Sequence, residues 1–392
     1  MAVFRKAVAG RLLLTLSLAL LGRGAEGQGN GRGKVQVSGG ATVYLGQERD
    51  VWRPLIHTTI NLSDISAIKS SFQLRTFDPE GTIFYGDTKN GVDWFVLSLK
   101  DGIPLMQIFK GGVHVSVAGG AKLNDGKWHT LELSSQGKFV VLEVDGSNGL
   151  VVGMQSQEPE EVLSGELRLA LGGVLIDKDK MIVQFEPQMD ACVRQGSWLN
   201  LSMPWETEAE ELWPCYENVR PGSYFPGTGM AIFNTSVFAF EADQGVTAEL
   251  WGDFSMMDGT ILSIKTPGPM FTLVANNKTK DVTVAFGEKK IDIVVTVERL
   301  QITFQTDLLR VRQDDDESKT TILSVIPVSH PGYLDTWRDG WLAVGGLLGE
   351  GEDEVGSQFL KGCLEKIRVQ GRDLDLDLAV KHMSVTSHSC AA

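Results

Sequence analysis

Two segments of this chain, about 170 residues apart, repeat one another. Leu167-Arg-Leu-Ala-Leu-Gly-Gly-Val-Leu175 matches Trp341-Leu-Ala-Val-Gly-Gly-Leu-Leu348, and each leads to a cysteine, in Met189-Asp-Ala-Cys192 and in Leu360-Lys-Gly-Cys363. A short strand-like stretch follows each cysteine, Val193 to Leu199 and Leu364 to Val369. Upstream, Ser71 to Phe77 with Gly81 to Tyr85 resembles Ala248 to Trp251 with Gly259 to Ser263. Solenoids repeat every 20 to 50 residues or so, so this period marks the duplication of a whole domain.

Within each copy the apolar period is two. Trp128-His-Thr-Leu-Glu-Leu133 and Phe139-Val-Val-Leu-Glu-Val144 alternate around Gln136-Gly137, and Asp145-Gly146 supplies a hairpin turn. Val282 to Phe286, Ile293 to Val297 and Leu300 to Phe304 repeat the pattern in the second copy. Helical signals are few, with one turn expected at Val380 to Met383. Short strands with 44 glycines at their turns predict an all-β chain of two tandem antiparallel β-sandwiches. The expected boundaries are an N-terminal arm over 28–45, a first domain over 46–195, an acidic linker over 196–221 containing Cys215, and a second domain over 222–390.

The first 27 residues read as an address. Arg5, Lys6 and Arg11 precede the apolar run Leu12 to Leu21, and Ala25 and Gly27 form a small-residue cleavage site, as in a secretory signal peptide. Ten apolar residues are too few to span a bilayer, and no later run approaches that length, so a secreted, soluble protein is expected. Four sequons start at Asn61, Asn200, Asn234 and Asn277, each a candidate glycan site. The four cysteines form no Cys-x-x-Cys pair, which argues against zinc or redox chemistry; of three possible connectivities, the local one, Cys192–Cys215 and Cys363–Cys390, is expected. The net charge is −14, and removing the leader leaves 32 bases against 49 acids. That balance excludes a nucleic-acid or anionic-membrane binder, which needs a basic footprint.

Catalytic signatures are absent: there is no nucleophile elbow, zinc-protease helix, phosphate loop or dinucleotide fingerprint. His129, inside a strand, reads as a core or hydrogen-bonded residue. The Asp314-Asp-Asp-Glu317 run and the Asp373/Asp375/Asp377 alternation read as solvated surface. Asp78-Pro79-Glu80-Gly81 is either a type I turn or half of a calcium site. Asp93, heading the strand Trp94-Phe-Val-Leu-Ser-Leu99, either faces water or orients an apolar ligand.

Ser70-Ser-Phe72, the run Arg75 to Thr88, Asp93-Trp-Phe95, Asp125-Gly-Lys-Trp-His129 and Leu142-Glu-Val-Asp-Gly146 resemble a laminin G-like domain, and more closely the tandem pair of the sex hormone-binding globulin family. The resemblance covers nearly all of the chain after the leader, including its four cysteines. It implies two jelly-roll sandwiches, no enzymatic activity, and a plasma carrier of androgens and oestrogens with the steroid between the sheets of the first domain. Ser70 then bonds the ring-A oxygen, Asp93 the ring-D end, and Phe95 lies in the wall with Leu97, Met106, Leu133 and Leu167. Asp78, Glu80 and the carbonyl of Gln188 become calcium ligands. Val117 marks the strand through which the family forms homodimers.

Two positions depart from the family. Lys110 stands where an asparagine is common beside the ring-D hydroxyl; an ammonium donates but cannot accept, and can pair with Asp93. Gly111 occupies the position of a zinc-binding histidine, with His114 out of register, so no zinc is expected. The competing reading is a steroid-independent laminin G-like pair that binds an extracellular or cell-surface protein, as in vitamin K-dependent protein S.

Overall fold

The computed structural model describes residues 35–391 except 39, 48–49, 51, 66–67, 89, 137–138, 154–164, 200–203, 240–244, 266–269, 296–297, 316–318, 328–333, 338–339, 349–358 and 383. The expected signal peptide and Asn200 therefore lie outside the described residues. Described residues hold strands and short 3-10 turns only, and no helix among them is long and apolar enough to cross a membrane.

Two sandwiches account for nearly all the strands. In the first, an eight-stranded sheet runs Val35–Ser38, Pro204–Thr207, Ile56–Asn61, Glu166–Leu171, Gly81–Thr88, Asp93–Lys100, Ile103–Lys110, Val113–Ala118. A six-stranded sheet faces it, in the order Ser147–Gly153, Phe139–Val144, His129–Gln136, Lys69–Thr76, Ala191–Trp198, Val43–Tyr44. The second sandwich pairs a seven-stranded sheet, centred on Gly259–Lys265, with a six-stranded one. In that six-stranded sheet the order is Lys319–Pro327, Leu308–Asp315, Arg299–Phe304, Val246–Trp251, Lys366–Val369, Arg372–Asp373. The expected hairpin at Asp145-Gly146 has positive φ at both residues, 51° and 77°, the geometry that suits a two-residue turn between twisted strands.

Period-two alternation builds each core. In the first sandwich Phe72 and Leu74 from one sheet meet Phe84, Leu97 and Met106 from the other. Parts of the expected arm and linker belong to this sandwich: Val35–Ser38 pairs with Pro204–Thr207 along their full lengths. The helical turn expected at 380–383 is not one, because Val380–Lys381 is a strand paired with Ala231 and Ile232; residue 383 lies outside the described residues.

The first sandwich has a second apolar layer. Tyr85, Trp94, Val96 and Ala170 point out of the eight-stranded sheet yet are buried, because Val174, Met181 and Phe185 from the connection after Leu171 pack over them. Disulfides join Cys192 to Cys215 and Cys363 to Cys390, each with Cα atoms 6.0 Å apart.

Candidate functional site

Alternation sorts the expected ligand residues onto one side of each sheet. Ser70 shares the inward parity of Phe72 and Leu74; Leu133 is its cross-strand partner, and Trp198 lies opposite it on the other side. Asp93 shares the parity of Phe95, Leu97 and Leu99, and Lys110 that of Met106 and Ile108, all apolar members of the inter-sheet cluster or packed on it. Leu133 and Leu167 belong to the same cluster. Ser70 thus approaches the interior from the six-stranded sheet, and Asp93 and Lys110 from the ends of neighbouring strands in the eight-stranded one.

The interior is aromatic. Phe84 meets Phe95 edge-on at 5.3 Å and Trp198 at 5.0 Å, while Phe72 stacks on Trp198 at 5.1 Å. Phe95 fits there because Gly86 lies on the adjacent strand: a Cβ on Gly86 would fall 2.4 Å from its ring. Leu97 and Met106 have no exposure at all and sit in the centre of the packing.

Among these apolar groups Ser70 is 2% exposed. Asp93 accepts from the Gly111 N–H at 3.0 Å, which fixes its carboxylate at the strand end; Lys110 is exposed. His114 points the other way, against Trp94 at 5.0 Å and Phe109 at 5.8 Å on the outer face, where burial lowers its pKa.

A polar cluster at the junction of the sandwiches gathers residues from both. Asp78 is buried; its carboxylate accepts from Glu80 N–H at 3.0 Å and Asp190 N–H at 2.9 Å. The His388 Nε2 of the second sandwich stands 2.9 Å from Asp377, 3.6 Å from Asp375 and 3.7 Å from Asp78. Lys381 Nζ donates to Asp377 at 2.5 Å. Burial opposes charge on the imidazole, but Asp78 and Asp377 outweigh it and push its pKa up to about 10. Burial raises Asp78 well above the carboxylate range, against the pull of His388. Asp377 is held well below that range although burial works against it, through its bonds to His388 and Lys381.

Ligand atoms of Asp78, Asp377 and His388 lie within 4.8 Å of one another, a separation a single cation could bridge. Glu80, expected beside Asp78, instead meets Lys100 at 3.2 Å and accepts from Glu186 N–H at 2.9 Å. The Gln188 carbonyl is close to the same turn, 3.0 Å from where a Cβ of Gly81 would sit. The reading of Asp373, Asp375 and Asp377 as one solvated strand face is corrected here. Leu376–Leu378 is a 3-10 turn capped by Asp375, which turns Asp377 inward and leaves Asp373 exposed. Asp377, Lys381 and His388 were missed as junction residues; the one sequence signal was His388 lying two residues before Cys390, whose disulfide fixes the segment.

Comparison with known proteins places this architecture. Residues 74–203 match the model of the laminin G domain. The sex hormone-binding globulin of Rattus norvegicus is 32% identical over 348 residues, covering 86% of this chain and 83% of the rat protein. The chain belongs to the sex hormone-binding globulin family. Growth arrest-specific protein 6 of Mus musculus is 25% identical, and the match covers 86% of this chain but 54% of the mouse protein. Among solved structures, domains LG4-5 of the mouse laminin alpha1 chain superpose with a TM-score of 0.63 at 19% identity, over 95% of this chain and all of theirs, a likeness of fold. The match to the rat protein thus extends across both sandwiches, and Asp93 and Phe95 fall within the residues matched to the laminin G domain, with Ser70 just before them.

Proposed function

We propose that this protein is a secreted carrier of androgen- and oestrogen-class steroids, held between the sheets of the first sandwich, and that it regulates their free concentration. The observation that carries the reading is the placement of Ser70, 2% exposed and set on the inner face beside Leu133 and the Phe84–Phe95–Trp198 aromatic group. A rigid apolar ligand of about twenty heavy atoms, at roughly half a kcal/mol each, reaches about −10 to −12 kcal/mol, the nanomolar range. Ser70 receives the ring-A oxygen, and Asp93 with Lys110 the ring-D substituent. Phe95, Met106, Leu133 and Leu167 contribute apolar contact. Lys110 donates only, which favours a 17-ketone acceptor more than an asparagine would.

Calcium is the proposed structural ion. Asp78 fits it: its buried carboxylate is already paired with a cationic ring, which a divalent ion would replace. Asp78 and the Gln188 carbonyl would hold the ion, with Glu80 joining after leaving Lys100; bound calcium would neutralise the turn and stiffen the first sandwich. The exposed Asn61, Asn234 and Asn277 are the proposed glycan sites in the described residues, with Asn200 a fourth by sequence. Homodimerisation is proposed through Val113–Ala118, the outermost strand of its sheet; Val115 and Val117 turn to the core and leave its backbone edge available.

Equilibrium binding of labelled testosterone and oestradiol to residues 28–392, with and without chelator, tests the reading. Saturable nanomolar binding that weakens about tenfold in Ser70→Ala is expected, equivalent to about 1.4 kcal/mol. A folded, calcium-loaded sample that binds neither steroid would sink the carrier and favour a protein-binding pair of the growth arrest-specific protein 6 kind.

A further inference from the structure

The two sandwiches carry a sequon at the same point of their folds. Asn61 ends the strand Ile56–Asn61 and caps the 3-10 turn Leu62–Asp64; Asn234 ends Ala231–Asn234 and caps Thr235–Val237. In each, the asparagine Oδ1 accepts from the backbone N–H of the sequon serine, Ser63 at 3.2 Å and Ser236 at 2.9 Å. That bond engages the oxygen and leaves Nδ2, the atom an N-linked sugar occupies, outside the cap. Asn277 sits instead in a turn, beyond the last ladder pair Asn276–Asp281.

What lies across the strand differs between the first two. Asn61 is opposite Glu166, whereas Asn234 is opposite Trp341, the first residue of Trp341–Val344. Phe233 and Leu342 face the core, so Asn234 and Trp341 share the outer face of the seven-stranded sheet. Both are exposed, Trp341 by 48%. Directly opposed residues hold their Cβ atoms roughly 5 Å apart, within reach of a sugar ring attached to Asn234. The sequon is also pinned to the chain that carries the tryptophan. Thr235 donates to the Gly340 carbonyl through its N–H at 3.0 Å and its hydroxyl at 2.8 Å, and Gly340 N–H donates back to that hydroxyl at 3.0 Å. Thr235 is fully buried, so Asn234 and Trp341 cannot separate without breaking buried bonds. A lone exposed tryptophan is ordinary on a protein surface; its fixed position across from the sequon asparagine is what carries the argument.

We propose that the first sugar of the Asn234 glycan stacks on the Trp341 indole and covers the outer face of the second sandwich there. The inference rests on the assignment of Asn234 as a glycan site. One face of an N-acetylglucosamine ring presents weakly positive C–H groups, and the face of an indole is negative. The same contact removes apolar ring surface from water. Glu166 offers no such ring to a sugar on Asn61, which makes that site the control. Held down over the sheet, the Asn234 glycan presents carbohydrate, in place of bare indole, to a protein approaching this face.

The test uses the full chain secreted from mammalian cells, with occupancy of each sequon read by peptide mass spectrometry. Hydroxyl-radical footprinting then reports Trp341 separately from the other tryptophans. Ser236→Ala removes the sequon but keeps Asn234 and the backbone N–H it caps. Trp341 should oxidise about twofold faster in Ser236→Ala, because one of its two ring faces is uncovered. Enzymatic trimming to a single N-acetylglucosamine, and Ser63→Ala at the Asn61 sequon, should each leave Trp341 as protected as in the parent. Ser236→Ala should also lower the unfolding midpoint by about 2 °C, and by less than half of that when Trp341 is already alanine. If Trp341→Ala fails to fold, the footprint decides, since it needs no change at Trp341. An unmodified Asn234 would overturn the proposal together with the glycan assignment at that site. A modified Asn234 with Trp341 equally reactive in parent and Ser236→Ala, or protection lost on trimming to the first sugar, would overturn the stacking alone.

Discussion

His129 illustrates how a strand histidine is held. Its ring bridges Asp145 at 2.8 Å and Asp125 at 3.0 Å, beside Trp128, whose face carries the guanidinium of Arg194 at 3.9 Å. Burial opposes the charged ring, but the two carboxylates prevail and raise its pKa above the ordinary 6.5. A protonated ring therefore stabilises the fold fully below about pH 6.5, and that contribution is lost as pH rises through the higher folded value. Asp125 works in the opposite sense: burial resists, yet the Lys127 N–H and His129 bring it to about 2, so its contribution is present above 3.8 and lost as pH falls toward 2. His129→Gln should consequently cost more at pH 5 than at pH 9. Because both carboxylates are substantially exposed, the difference should be about 1 kcal/mol or less. Unfolding midpoints of parent and variant at the two pH values decide it, and an equal loss at both would refute the charge argument.

At the scale of elements, the connection after Leu171 depends on one side chain. Gln107, fully buried, accepts from Ile182 N–H at 3.1 Å and Val183 N–H at 3.0 Å and donates to Val183 O at 2.9 Å. Gln107→Leu should destabilise the protein by about 2–4 kcal/mol and speed amide exchange at Ile182 and Val183; unchanged exchange there would mean that apolar packing alone holds the segment. The strands were legible because alternation is local: Phe139 to Val144 declares its two faces without reference to the rest of the chain. The segment over the outer face was not, because residues 172–185 carry no period, and their burial is decided by Tyr85 and Trp94 on distant strands. The expected ligand residues were read by resemblance, and parity sorts them onto the inner face. Asp377 was misread for the converse reason: an Asp-x-Asp alternation resembles a solvated strand until Asp375 caps a turn and His388 arrives from the C-terminal segment.

For the whole molecule, Asp190 joins the two sandwiches. One carboxylate oxygen accepts from Ser387 N–H at 2.6 Å and His388 N–H at 3.1 Å, and the other from the Tyr44 hydroxyl at 3.1 Å. The bonds from Ser387 and His388 are largely buried and run between the sandwiches, so unfolding of one should propagate to the other. Asp190→Ala removes the shared acceptor and strands two backbone donors, on the order of 3 kcal/mol in all. Calorimetry should show one transition in the parent and two in the variant. A single transition at the parent's temperature would mean that the junction contributes little to cooperativity.

That junction also sets a schedule. Asp190 precedes Ser387 by 197 positions, and a ribosome adding 5–20 residues per second needs roughly 10–40 s to cover the interval. During that time the first sandwich can pair its own strands, but its Asp190 carboxylate still awaits the donors supplied by Ser387 and His388. Cys390, two residues farther on, closes its bridge to Cys363 only after the same segment has emerged. The first sandwich therefore reaches its final form by the arrival of the opposite end of the chain rather than by its own completion.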